Sequence, residues 1–240
     1  MSNVELLSFA DEQALARAAA DLWLQDVLDA IKSPKPYCTA LSGGRIARRF
    51  FDAVVEIAKA RQASLQQVHF FWGDERCVSP ADPESNFGVA NELLLAPLGI
   101  PKTQIHRVAG ERPPQAAAAQ AAAELLRIAP ANAAGQPIID LIFLGLGEDG
   151  HVASLFPGES AQTQTDQAIY RPVISPKPPP HRVTLGYPAI EAARQVWVLA
   201  SGAGKQTALR ESLTPEGRTS LARVLQFRRS TKIFTDIDFK

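Results

Sequence analysis

The chain has 240 residues, long enough for one large α/β domain or two small ones, and a single domain over 1–240 is expected. With 46% hydrophobic and 21% charged residues, it is not a disordered, collagen-like or coiled-coil sequence. Its 25 basic and 25 acidic residues cancel to a formal charge of zero, so no global field draws nucleic acid or an anionic membrane, and any anion site is local.

At the N-terminus, Val4 to Phe9 reads as a short strand, and Glu5, Asp11 and Glu12 stand where a signal peptide would be apolar, so export is not expected. Asp11 to Ile31 carries Leu15, Ala19, Leu22, Leu24, Val27 and Leu28 at mostly helical spacing. Tyr37 to Leu41 is a predicted strand, Ser42-Gly43-Gly44 breaks it, and Arg45 to Ala60 is a predicted helix with Ile46, Phe50, Val54 and Ile57 on one stripe. The alternation continues with strand Val68 to Trp72, helices Ser85 to Ala96 and Gln115 to Ile128, and strand Ile138 to Leu144. After a Pro-rich segment come a strand at Val183 to Leu185, a short helix Ala189 to Ala193, strand Val196 to Ala200, helix Lys205 to Leu213 and a final strand Ile233 to Thr235. No apolar run approaches the roughly 20 residues of a membrane span. Cys38 and Cys77 do not suggest a disulfide framework, which points to a reducing cytoplasm.

Continuously apolar strands such as IIDLIFL are buried on both faces. The predicted fold is therefore α/β in three layers, a mostly parallel sheet flanked by helices.

Ligands of open α/β sheets bind beyond the carboxyl ends of strands, which directs attention to four loops. In Ser42-Gly43-Gly44-Arg45, small residues at a helix start let amide groups approach an anion, although a tight turn alone would also call for glycine. Gly73-Asp74-Glu75-Arg76, followed by Ser85-Asn86, is either a solvated charged loop or a place where an arginine binds a substrate oxygen with carboxylates orienting it. Gly145-Leu146-Gly147-Glu148-Asp149-Gly150-His151 contains GxGxxG after a strand. Two carboxylates inside the loop, and its position after several strand-helix units, argue against a dinucleotide. Asp149 two residues before His151 instead suits a carboxylate and an imidazole aimed into one cleft, with His151 as general base. His69, His106 and His181 are read as ordinary surface or core residues. The fourth region joins Ser175 to Arg182 with Ser201 to Lys205. Lys205 at a helix start opposes the helix dipole unless an anion is near, and with Arg182, Arg45 and Ser42 it would make a phosphate-sized basic pocket.

Taken together, LSGG at 41–44, FWGDERCV at 71–78, PESN at 83–86, GLGEDGHVASLFP at 145–157 and SPKPPPHRVTL at 175–185 resemble the 6-phosphogluconolactonase group of the glucosamine/galactosamine-6-phosphate isomerase family. The resemblance implies the fold of glucosamine-6-phosphate deaminase and ribose-5-phosphate isomerase. It also implies hydrolysis of 6-phospho-D-glucono-1,5-lactone to 6-phosphogluconate in the oxidative pentose phosphate pathway, with no metal or organic cofactor. On that reading His151 activates water, Asp149 orients His151, and Arg76 binds near the reacting end. Ser42, Gly43, Gly44, Arg182 and Lys205 hold the phosphate, Asp74 and Asn86 bind substrate, and Lys177 is a further candidate for either end. Many members of the family continue the SGG loop with Ser or Thr and then Pro. Here Arg45-Ile46-Ala47 follows, so Arg45 either replaces a hydroxyl contact to phosphate or points away.

Two rivals remain at this level. An aminosugar-phosphate deaminase or aldose-ketose isomerase of the same fold would use Asp74 or Glu75 as a carbon-proton base. A non-catalytic sugar-phosphate sensor would need a DNA-binding module, for which the assigned elements leave no basic helix-turn-helix.

Overall fold

The computed structural model describes residues 3–30, 32–33, 35–160, 163 and 165–238. Ile31, at the end of the first predicted helix, lies outside the described residues.

Six strands form one parallel sheet: β1 (Asn3–Ser8), β2 (Tyr37–Leu41), β3 (Val68–Trp72), β5 (Leu141–Gly145), β8 (Gln195–Ala200) and β9 (Ser230–Thr235). Their order across the sheet is β1-β9-β8-β5-β2-β3. All five residues of the interior strand β2 are buried, as the unbroken apolar runs require, whereas β1 at the edge is largely exposed. Helices α1 (Glu12–Ala30) and α2 (Arg45–Arg61) lie together on the sheet. Trp23 of α1 is fully buried among Phe50 of α2, Phe70 of β3 and Phe143 of β5, with ring centroids 5.9 to 6.2 Å apart. Edge-to-face contacts of this kind add to the burial of large rings.

A second, antiparallel sheet of β4 (Asp74–Arg76), β7 (His181–Leu185) and β6 (Tyr170–Ile174), in the order β4-β7-β6, is absent from the sequence reading. The chain changes sheets at Gly73, whose amide donates to Leu41 O while its carbonyl accepts from Leu185 N. Asp74-Glu75-Arg76 is therefore a strand and not a charged loop, a correction with a physical cause. Long-range pairing with β7 and buried hydrogen bonds to the carboxylates outweigh the poor strand propensity of Asp and Glu. Pro172 is tolerated in β6 because that strand is an edge.

The helix predicted over 85–96 is shorter. Ser85 caps α3 (Asn86–Ala90) by accepting from Gly88 N, and the chain then widens into a π-helical turn, Asn91–Leu95. Further along lie α4 (Pro114–Ile128), α5 (Tyr187–Ala192), α6 (Gln206–Ser212) and α7 (Ser220–Phe227). The last is unpredicted, and Thr219 caps it by accepting from Ala222 N. No helix of the described residues is long and apolar enough to cross a membrane.

Candidate active site

The ends of β2, β4, β5, β7 and β8 converge on a cleft of about 180 Å³. Ser42, Gly43, Gly44, Arg45, Asp74, Arg76, Asn86, His151, Arg182 and Lys205 all line it. Asp149 and Lys177 stand behind His151 instead of on the wall.

After β2 the chain passes through Ser42-Gly43-Gly44 into α2, whose N-terminus has no side-chain cap and so keeps amide donors free for an anion. Ser42 Oγ accepts from Gly145 N at 3.3 Å, tying this loop to the one after β5. A Cβ at Gly43 would fall 1.9 Å from Asn86 Oδ1, so the close approach of Asn86 requires glycine.

Beyond β5, the Gly147 amide donates to His151 O and the Gly150 amide to Gly147 O, folding the loop back on itself. No helix begins in 146–160, so the GxGxxG stretch lacks the helix N-terminus on which a pyrophosphate would rest. The fold-back brings His151 Nδ1 to 2.5 Å from Asp149 Oδ1, while Lys177 Nζ lies 3.2 Å from Asp149 Oδ2. Partial burial pushes the Asp149 carboxyl up, but hydrogen bonds from His151 and Lys177 outweigh it and hold the carboxyl at about 2. Asp149 is thus a carboxylate at neutral pH, which makes Nδ1 the donor of this bond and leaves Nε2 as the ring nitrogen that Asp149 does not engage. Phe156 packs on the imidazole with centroids 4.9 Å apart. A Cβ at Gly147 would come within 2.1 Å of two ring atoms of His151, so the Asp149–His151 pair occupies space that only glycine leaves.

The opposite wall is the small sheet. Its register sets Arg76 directly across from Arg182, and Asp74 across from Thr184. Arg182 Nε donates to Pro179 O, and its Nη2 to Pro178 O. Burial and then the charge of Arg76 push the Arg182 guanidinium below its usual range, against the pull of Asp74. The Asp74 carboxylate is buried, accepting from Ser154 Oγ at 2.6 Å and Asn86 Nδ2 at 3.3 Å. Glu75 accepts from the Arg76 amide at 2.7 Å but does not bind its guanidinium, so it is not the carboxylate that orients that side chain. Its carboxylate accepts from Ser85 Oγ and the amides of Asn86 and Phe87, so it anchors the start of α3, and burial pushes it up to about 7 against those bonds. Arg76 is held instead by Glu84, through its carbonyl at 2.7 Å and its carboxylate at 3.1 Å. Glu84 and Ser154 both lie inside the sequence motifs, but nothing local marks their partners.

Arg45 and Lys205 line the same cleft, close enough for their charges to act on one another. Burial, and next the charge of Arg45, push the Lys205 ammonium down, while Asp236 and Glu148 act the other way. Two cations held close together in a partly buried cleft are an arrangement that a dianion relieves. The remaining histidines lie elsewhere: His69 and His106 pair at 2.9 Å between β3 and α4, and His181 lines a separate groove. Among the described residues, no group of three or more His, Cys, Asp and Glu is arranged to hold a metal ion. Cys38 and Cys77 are both free thiols.

Residues 10–232 match the family described as glucosamine-6-phosphate isomerases/6-phosphogluconolactonase. A 6-phosphogluconolactonase of Streptomyces coelicolor is 35% identical over 219 residues, covering 89% of this chain and 84% of the relative. The 6-phosphogluconolactonase of Trypanosoma cruzi superposes with a TM-score of 0.83 at 25% identity, over 98% of this chain and 96% of that one. A monomeric glucosamine-6-phosphate deaminase shares the fold at a TM-score of 0.78 and 18% identity, over 97% of this chain and 96% of its own. The loops that build the cleft all fall inside the matched span, and the chain belongs to the glucosamine-6-phosphate isomerase/6-phosphogluconolactonase family.

Proposed function

We propose that this protein hydrolyses 6-phospho-D-glucono-1,5-lactone to 6-phosphogluconate, the second step of the oxidative pentose phosphate pathway. The observation that carries the proposal is the chain Lys177–Asp149–His151, which leaves Nε2 as the base in a cleft also lined by Arg45 and Lys205. His151 takes a proton from water as the water oxygen adds to the lactone carbonyl carbon. The tetrahedral oxyanion forms beside Arg76, and collapse breaks the bond to the ring oxygen, which receives the proton from the imidazolium. The products are the open 5-hydroxyl and a carboxylic acid that ionises to solvent.

The phosphate is held by Ser42, the amides of Gly43 and Gly44, Arg45 and Lys205, with Arg182 adding a cation from the small sheet, so that remote binding energy orients the ring. Arg45 thereby takes the place of a hydroxyl contact. Asn86 shapes the pocket between the two ends, and Asp74 secures Asn86 and Ser154. The rival carbon-proton chemistry is disfavoured because Asp74 is engaged by these two residues and Glu75 anchors α3. The proposal includes a single catalytic domain acting in the cytoplasm on this small substrate, with no nucleic acid or membrane partner and no metal or organic cofactor.

The test generates the lactone with glucose-6-phosphate dehydrogenase and follows its disappearance above the spontaneous rate, with and without EDTA. Turnover undiminished by EDTA is expected. No acceleration, or activity abolished by EDTA and restored by zinc or magnesium, contradicts the proposal.

A further inference from the structure

Asp236 has no part in the chemistry above, yet it sits directly behind the anion end of the cleft. The parallel register pairs Ala200 of β8 with Thr235 of β9, so the residues that follow them, Ser201 and Asp236, emerge side by side. One carboxylate oxygen of Asp236 accepts from Ser201 Oγ at 2.7 Å and the other from Gly202 N at 2.9 Å. From that anchored peptide the chain turns at once, the Lys205 amide donating to Gly202 O at 3.1 Å, and a short 3-10 turn, Ala203–Lys205, carries Lys205 to the cleft. The same peptide also bears on Arg45, because a Cβ at Gly202 would stand only 2.8 Å from Arg45 Nη2. One carboxylate thus fixes the backbone that presents one cation and abuts the other. It is also the foremost opposing charge, drawing the Lys205 ammonium back up against burial and Arg45.

We infer that Asp236 is a positioning residue for substrate phosphate: it brackets Ser201 and Gly202 so that Lys205 and Arg45 converge on one anion, without touching the substrate itself. The inference rests on the lactonase reading of the cleft. Its signature is selective loss, because the hydrogen bonds of Asp236 go to Ser201 and Gly202, whereas the Asp149–His151 pair is held by its own loop and by Lys177.

The experiment measures kcat and KM of the wild type, Asp236→Ala and Asp236→Asn on 6-phosphogluconolactone and on unphosphorylated gluconolactone, with the Tm of each protein. Loss of a part-buried, charge-assisted bracket is expected to raise KM for the phosphorylated lactone about 10- to 100-fold in Asp236→Ala, with kcat changed less than about threefold. Asp236→Asn, which keeps an acceptor for Gly202 N but no charge, should fall between. The loss should be confined to the phosphorylated substrate. A wild-type KM in both variants, or a parallel fall on both substrates that tracks a lowered Tm, overturns the inference and leaves Asp236 a purely structural residue. A wild type that does not favour the phosphorylated lactone instead defeats the reading of the cleft, and the inference with it, before any variant is considered.

Discussion

Lys177 illustrates how a residue's partners decide its role. The sequence places it in a Pro-rich segment near other cations and leaves it a candidate for binding substrate, whereas its ammonium pairs with Asp149 Oδ2 behind the imidazole. Both partners are substantially exposed, so the pair is a weak one. Lys177→Met is therefore expected to lower kcat by less than about fivefold and to leave KM unchanged, since a partly solvated ion pair contributes at most about 1 kcal/mol. Steady-state kinetics decide it, and a raised KM with unchanged kcat would return Lys177 to the substrate. His151 and Asp149 were legible because they stand two residues apart after a strand. Glu84, Ser154 and Asp236 were not, because their partners lie 8, 80 and 35 residues away in the chain and only the fold unites them.

At the level of elements, β2, α2 and β3 follow the apolar pattern nearly residue for residue, because local periodicity and tertiary burial agree there. The failures have a common physical origin. β4 and β6 carry charges or proline, and they exist only through pairing with β7, an interaction that no local window contains. α7 was legible in principle, with Thr219 as its cap and Leu221, Val224 and Leu225 on one face.

The junction between β3 and α4 makes a prediction of its own. His106 accepts from or donates to His69 at 2.9 Å and meets Glu124 of α4 at 2.8 Å. Burial holds both imidazoles below their ordinary range, aided at His69 by the charge of His106 and opposed at His106 by Glu124. The folded state thus favours the neutral rings, while the unfolded chain takes up protons near pH 6.5, so this stabilisation is complete above about pH 6.5 and is lost as pH falls below it. Glu75, pushed up to about 7, titrates in the same window with the opposite sign, since its contribution is lost as pH rises. The comparison is therefore between proteins: the Tm of the wild type should fall more between pH 7 and 5 than that of a His69→Gln/His106→Gln variant. Identical slopes would contradict the assignment.

On the scale of the molecule, a neutral protein collects Arg45, Arg76, Arg182 and Lys205 around one cleft. The two sheets meet at Gly73 so that the small sheet supplies two of these cations and the main sheet's loops the other two. A local field without a global one should make capture of a phosphorylated substrate sensitive to salt. KM is expected to rise several-fold between about 10 and 150 mM ionic strength, with kcat nearly constant, as the Debye length shortens. A KM independent of salt would mean that the cations do not act on the substrate's charge.

The central claim is that His151 is the base that makes this cleft hydrolytic. The most direct measurement is the steady-state hydrolysis of 6-phosphogluconolactone by wild type and His151→Ala, corrected for spontaneous opening. Removal of a positioned base predicts a fall in kcat of about 10²- to 10⁴-fold with KM little changed. A His151→Ala protein that retains kcat within about tenfold of the wild type would contradict it, because loss of a general base alone typically costs more than that.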